Sequence, residues 1–564
     1  MKQIRIVFIV GLLLTILVSF PVWRKPAERL FGYPGDALGL LGRTVYLQDK
    51  SISGGGKFVA DMNFPFGFYL PKVQEVLSLA PVGLISHFAN EVSAYNIWLL
   101  LSFPLTTIAM FILLRYLIYS FWPSLWGSLI FTFAPYHFWH SFSHISLAHI
   151  QWLPVFVLAL LGFDDKPSRR RAFFLILSFL LVFFTSFYYG YFMLITAAVF
   201  FALRIIYDFC EKGENYLTRQ RLIGFLWTAA FGIIFFAYPA FLAYQDYQNA
   251  QVFSVEKSVY QRDFEQLLYL SARPWDYLLP SANNPFFGKL SENFRNSLHL
   301  WESSLPRRNF FWIDVGNLEG TLFLGFTPLI LAFYAIGNRK RTRLQKEIFI
   351  FAALALIAFF FSLPPFIEIG KFKLVLPSMF LSWLTLIFRT IARWGMVVML
   401  FISMLAAIGL DVLLKNIKQN WQKRLITVVA FALLTIEFIN VPPFHFTDIS
   451  KTPAEYEWLA EKEGDFVIAE YELDDNIALF FQRIHGKKLL ARYYRERLPL
   501  HDPDSREKLR KLGVAYVLFH KKSPFDKFNP TNERAPVGQV LPPPAALKEY
   551  KMVFSADNTL VFEL

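Results

Sequence analysis

Four groups of polar residues interrupt an otherwise apolar chain. The first is Asp36, the lone carboxylate of Gly32-Tyr-Pro-Gly-Asp-Ala-Leu-Gly39. A well-placed weak base suits a hydroxyl that loses its proton as it forms a bond. An aspartate before an amphipathic run (Leu38, Leu41, Val45) also suits a helix N-cap, and the two roles are compatible. Asp49, Asp61 and Glu75 follow in the same segment as rival acids. The second group is His137, His140, His144 and His149. Four-residue spacing puts His140 and His144 on one helical face, as in a zinc site, but no adjacent Glu completes that pattern. Histidines among interfacial aromatics are the plainer alternative. Hydrogen bonding to a phosphate or a sugar hydroxyl is a third use, for which His144 and His149 are the candidates.

The third group is Phe388-Arg-Thr-Ile-Ala-Arg-Trp394. Arg389 and Arg393 share a face if the segment is helical. Guanidiniums there either snorkel to lipid headgroups or grip a phosphate with paired donors. Lys371 and Lys373 lie just upstream. The fourth is Arg273-Pro-Trp-Asp-Tyr-Leu-Leu-Pro-Ser-Ala-Asn-Asn284, whose aromatic faces, amides and Arg273 suit a sugar phosphate or simply an ordered interfacial loop. Glu319, at a membrane edge, is a further acidic candidate beside Asp61 and Glu75.

The elements that must position these groups are membrane helices. The 564 residues are 55% hydrophobic, with 64 Phe and a mean hydropathy of +0.39. Ordinary soluble domains are less apolar. About eleven runs have the length that crosses a ~30 Å hydrocarbon core. They are Ile4–Val22, Ala94–Tyr119, Trp122–Trp139, Ile145–Phe163, Ala172–Phe187, Tyr188–Tyr207, Leu222–Leu242, Leu318–Ile336, Ile348–Leu363, Trp394–Leu414 and Leu425–Val441. The net charge of +13 collects in alternate short loops, around Arg169–Arg171, Arg219–Arg221, Arg339–Arg343 and Lys423–Arg424. The positive-inside rule accounts for it, so a nucleic-acid partner is excluded and the N-terminus is expected in the cytoplasm. No small-residue cleavage site follows the first run, which therefore reads as an uncleaved anchor. The short Leu374–Ile387 stretch, broken by Pro377, is expected as an interfacial or re-entrant helix.

Two parts follow. Residues 1–441 form a transmembrane domain with outer loops 23–93 and 243–317. Residues 442–564 form a soluble extracytoplasmic α/β domain. In that tail, Asp465–Leu473 and Gly513–His520 read as strands, Pro453–Lys462 and Asn476–Ile484 as helices, and Lys548–Phe554 with Thr559–Leu564 as a hairpin. The expected fold is thus mostly α, polytopic, with a small α/β unit at its end.

With these segments in order, the chain resembles the C-type (GT-C) superfamily of membrane glycosyltransferases. It is similar in particular to bacterial and archaeal members related to protein mannosyltransferases and to proteins that decorate cell-wall polymers. The resemblance rests on GYPGDALG, MNFPFGFYLP, APYHFWHSFSHISLAHIQWLP, RPWDYLLPSANNP, NLEGTLFLG, FRTIARWGMVVMLFISMLAAIGLD and TPAEYEWLAEKEGDFVIAEYEL. It implies inverting transfer of a sugar from a polyprenyl-phosphate donor at the outer membrane face to a glycan, lipid or protein acceptor. It places the first-loop catalytic aspartate at Asp36 and the phosphate-binding cations at Arg389 and Arg393. The first loop lacks an adjacent acidic pair, which leaves a divalent metal (Mg or Mn) and the identity of the base open.

Two other classes compete: a transporter or flippase of lipid-linked saccharides, and a non-catalytic envelope assembly protein. A transporter needs polar or broken helices at the bilayer midplane, whereas the polar groups of this chain gather at one membrane face.

Overall fold

The computed structural model describes residues 2–49, 58–69, 76–213, 215–253, 264–303, 318–369, 372–384, 388–440, 446–502, 504–522 and 541–564. Helices dominate it, and the chain is a multi-pass membrane protein. Among the described residues six helices are long and apolar enough to cross a bilayer: Lys2–Trp23, Glu91–Ile118, Phe187–Glu211, Arg219–Gln245, Gln345–Ser362 and Ile391–Asn416. Shorter apolar helices such as Trp152–Asp165, Arg169–Thr185 and Phe326–Gly337 pack among them. The break inside the long 172–207 run falls at Ser186, whose extended backbone separates Arg169–Thr185 from Phe187–Tyr207.

Two kinds of helix surface are present. The Gly395–Asn416 helix is buried along almost its whole length, and Gly409 lets it approach the Leu331 carbonyl so closely that a Cβ would sit 1.9 Å away. Small residues serve this purpose in membrane helices, where packing rather than water exclusion drives association. The Arg219–Phe253 helix is the opposite: Leu226, Ile233, Ile234 and Phe241 project outward without protein cover. Such a face is stable because lipid is its solvent and the backbone bonds are satisfied within the helix.

Two local expectations fail. The 122–139 and 145–163 runs are not two plain spans. The chain forms Phe121–Thr132, then short Pro135–Ser141 and Ile145–Ala148 helices, then Trp152–Asp165. Pro135 occupies the first position of its helix and the His137 ring bridges the carbonyls of Thr132 (2.6 Å) and Ala148 (2.7 Å), so the turn is stapled from inside. The 374–387 stretch is not one helix either: Phe372–Val375 pairs with Phe366–Ile369 as a hairpin, and among the described residues of the stretch Ser378–Leu384 is helical.

The tail carries a five-stranded sheet in the order Lys551–Ser555, Thr559–Glu563, Val514–His520, Val467–Tyr471, Lys488–Leu489. The central pair is parallel and the terminal hairpin antiparallel. The tail is stitched to the first loop by backbone bonds: Arg29–Phe31 pairs with Phe446–Asp448, and Asp61 and Phe64 exchange bonds with Leu489 and Ala491.

Beneath the sheet, Glu470 accepts from Tyr456 (2.8 Å) and His520 (3.0 Å), all three buried. Burial works to raise the Glu470 carboxyl, but the His520 hydrogen bond and charge, with His485 and Tyr456, outweigh it and hold the group below its ordinary range. Burial pushes the neighbouring His485 down from 6.5 to about 4. Both groups bind fewer protons folded than unfolded in acid, so their stabilisation is present at neutral pH and lost on acidification. For His485 the loss runs from pH 6.5 down to about 4 and amounts to about 3 kcal/mol at most. Pulse proteolysis of the full chain in detergent should show cleavage within residues 446–564 rising across that window, and His485→Asn should flatten the dependence.

Candidate active site

The first loop is laid directly on the histidine turn. Gly32 has φ +105°, and a Cβ there would lie 2.1 Å from the Phe142 carbonyl, a position only glycine tolerates. Tyr33 N–H then donates to that carbonyl (2.8 Å) and the Tyr33 ring stacks on Trp139. The Asp36–Asp49 helix begins three residues on. Its first residue consequently meets His144, with Nδ1 3.1 Å from the Asp36 carboxylate. The Asp36 side chain is 58% exposed and that of His144 26%.

Behind this open pair lies a closed one. Glu319 accepts from Arg393 through Nε (3.0 Å) and Nη2 (2.7 Å), and its other oxygen lies 3.1 Å from His140 Nε2. Arg393 also rests over the Tyr188 ring at 4.5 Å, and Tyr136 stacks on His140 at 3.9 Å. A planar guanidinium is suited to this double engagement of carboxylate and aromatic face. The His140 and His144 rings stand 6.3 Å apart. Asp36, His144, His140, Glu319 and Arg393 therefore form one continuous polar file at one end of the bundle. A cavity of about 750 Å³ lined by Ser120, Asp411 and Lys415 is remote from it, about 27 Å further along the helix that Arg393 begins.

The remaining expected residues lie elsewhere. Arg389 does not share a helical face with Arg393: residues 391–394 form a 3-10 turn, and Arg389 donates instead to Gln266 (2.6 Å). His149 is buried, stacked on Trp98 at 4.3 Å and bonded to Gln151, so it faces the core. Arg273 is 2% exposed and spends its guanidinium on the Ser271 and Leu268 carbonyls, organising its own loop. Asp61 belongs to the seam between loop and tail, its carbonyl accepting from Gln482 (2.9 Å) and Leu489 (3.0 Å). Glu75 and Lys371 lie outside the described residues. Sequence reasoning missed Asn476 of the tail, whose Nδ2 donates to Asp36 Oδ1 at 2.9 Å. His140 was weighed there only as half of a zinc-like pair, and Tyr188 was not singled out.

The described residues do not assemble a donor set for a divalent metal. Among the described residues no three His, Cys, Asp or Glu side chains come together as ligands, and both Glu319 oxygens are already engaged by cationic or imidazole donors.

The fold is shared with a membrane oligosaccharyltransferase of solved structure. The chain aligns with the archaeal oligosaccharyltransferase AglB from Archaeoglobus fulgidus, in complex with an inhibitory peptide and a dolichol-phosphate, at TM-score 0.54 and 10% identity, over 92% of this chain and 69% of that one. The Archaeoglobus fulgidus enzyme tethered to an acceptor peptide with the NVT sequon gives 0.56 and 11%, over 99% and 74%. The same enzyme in complex with Zn and sulfate gives 0.55 and 12%, over 99% and 73%. The chain belongs to the family described as a domain of unknown function (DUF6311), which matches residues 81–440. No curated protein matches it.

Removing one member of the buried pair strands the other. Glu319→Leu should cost about 3–5 kcal/mol, seen as a lowered midpoint of thermal unfolding in detergent. The double variant Glu319→Leu/Arg393→Met should recover most of that loss, because two buried charges leave together.

Proposed function

We propose that this protein is a membrane glycosyltransferase that moves a sugar from a polyprenyl-phosphate carrier to a hydroxyl of an extracytoplasmic glycan, lipid or protein. Asp36 is the base. It takes the proton of the acceptor hydroxyl as the oxygen attacks the anomeric carbon from the face opposite the phosphate. The bond from that carbon to the phosphate oxygen breaks, and the polyprenyl phosphate leaves with the electron pair. One displacement inverts the anomeric centre. Charge develops on the leaving phosphate, and preorganised donors there lower the barrier. Of this chain's groups, the imidazoles of His144 and His140 stand beside Asp36 on the side of Arg393, with Arg389 the further cation of the same segment. Arg393 itself is already neutralised by Glu319 and acts by holding the histidine turn in place.

The single observation that carries this reading is the convergence of residue 36 with residue 393 on one polar file, its acidic end open and its cationic end closed. The dolichol-phosphate bound by a protein of the same fold is in keeping with a lipid-linked donor. The basic loops and the N-terminus lie on the cytoplasmic side in this scheme, and the site and residues 442–564 on the outer side.

The test is Asp36→Asn, assayed with the lipid-linked sugar fraction extracted from the source organism's membranes, following released polyprenyl phosphate by mass spectrometry. Release should fall about 10²–10⁴-fold with expression and thermal stability unchanged. Wild-type release by the variant would point to a carrier or scaffold instead.

A further inference from the structure

We infer that Asn476 is a positioning residue for Asp36, so that the C-terminal domain completes the active centre. The inference rests on the assignment of Asp36 as the base. Asn476 lies 440 positions away in sequence, yet its amide Nδ2 donates to Asp36 Oδ1 at 2.9 Å. The other carboxylate oxygen, Oδ2, faces His144 at 3.1 Å. One oxygen is thus held by a neutral donor that cannot exchange charge with it, and the other by an imidazole. Two anchors on different elements fix the plane of a carboxylate whose side chain is still 58% exposed to an incoming hydroxyl.

The contact is built into the packing of two helices. Asn476 is the second residue of the Asp475–His485 helix, and Asp474 caps that helix by accepting from the Asn476 N–H at 2.8 Å. The helix lies along Asp36–Asp49 through two glycines. A Cβ on Gly39 would sit 2.1 Å from Asn476 Oδ1, and one on Gly42 would sit 2.7 Å from the Leu479 carbonyl and Phe480 Cα. The near side of the first-loop helix is therefore emptied of side chains where Asn476 enters. The backbone pairing of Arg29–Phe31 with Phe446–Asp448 and the bonds from Gln482 and Leu489 to Asp61 flank the contact on both sides along the first loop. An amide is the right group here. An apolar side chain would remove that donor, and a carboxylate would repel Asp36.

Asp36 faces His144 of the histidine turn, Asp474 and Asn476 of the tail helix, and Tyr95 of the Glu91–Ile118 helix. Replacing the amide by an acid adds one more negative group to that set. Two carboxylates at hydrogen-bond distance cannot both ionise freely, and one is forced to keep its proton to higher pH.

The experiment uses the full chain in detergent with the lipid-linked sugar fraction of the source organism as donor. Asn476→Leu keeps the volume and removes the donor. It should lower kcat about 10–100-fold, the cost of a slightly misplaced reacting group, with KM for the donor within about twofold. Asn476→Asp should move the acidic limb of the pH–rate profile upward by about one unit or more. Asn476→Ser carries the first comparison if the leucine variant does not fold. The inference is overturned if Asn476→Leu turns over at the wild-type rate while Asp36→Asn is inactive, which leaves the function of Asp36 intact. It is also overturned if kcat, KM and thermal midpoint all decline together without any change in the pH profile of Asn476→Asp, the mark of a purely structural contact. Wild-type turnover by Asp36→Asn removes the assignment of Asp36 itself and this role with it.

Discussion

The ion pair of Glu319 and Arg393 is the interaction on which the Asp36 end of the bundle depends. Its side chains are only 10% and 12% exposed, and burying two charges costs several kcal/mol each unless their geometry and hydrogen bonding are complete. Completeness comes from three separate segments. Arg393 opens a spanning helix, Glu319 sits on a short turn before another, and His140 belongs to the turn between two more. None of the three satisfies its polar atoms without the others. Their meeting fixes the histidine turn, the turn receives Phe31 and Tyr33 of the first loop, and the loop delivers Asp36. Rigidity runs from the buried pair outward to the open acid.

Much of this was legible in the sequence, for identifiable reasons. Span length is set by bilayer thickness, so apolar runs announce themselves, and even the break near Ser186 shows as a loss of apolar continuity. The strands and helices of the tail follow from alternation and periodicity that are local in the chain. What local pattern cannot carry is partnership. The pairing of Arg389 with Arg393 failed because the residues around Thr390 leave helical geometry before the 3-10 turn begins, and nothing in the residue types between them signals that departure. Glu319 was visible as an acid at a membrane edge, but its claim on Arg393 was not. Asn476 was placed on the right helix and still overlooked, since a neutral amide among two aspartates reads as a cap. The one signal that could have found it is the spacing of two glycines in the first-loop helix: Gly39 and Gly42 clear one side that something else must fill.

The tail is held by chemistry of a different kind from the bundle. Its sheet covers a buried acid whose Oε2 takes hydrogen bonds from a phenol and an imidazole, so polar contacts as well as apolar packing hold it. Such networks specify one arrangement because every member is costly to leave unpartnered. The membrane part has the reverse economy, with large apolar faces that are indifferent to their exact neighbours and a few polar contacts at its ends that are not. The seam between loop and tail joins these two regimes by backbone pairing, which is insensitive to side-chain identity and so tolerates change on either side.

The stitch between Arg29–Phe31 and Phe446–Asp448 also has a meaning in time. A ribosome adding 5–20 residues per second needs roughly 20–90 s to proceed from the first-loop aspartate to the amide that binds it, given their separation of 440 positions. Throughout that interval the first-loop carboxylate exists without the amide that meets it in the folded chain. These contacts form only with the closing stretch of translation, so a chain truncated before residue 446 lacks both the backbone pairing and the amide.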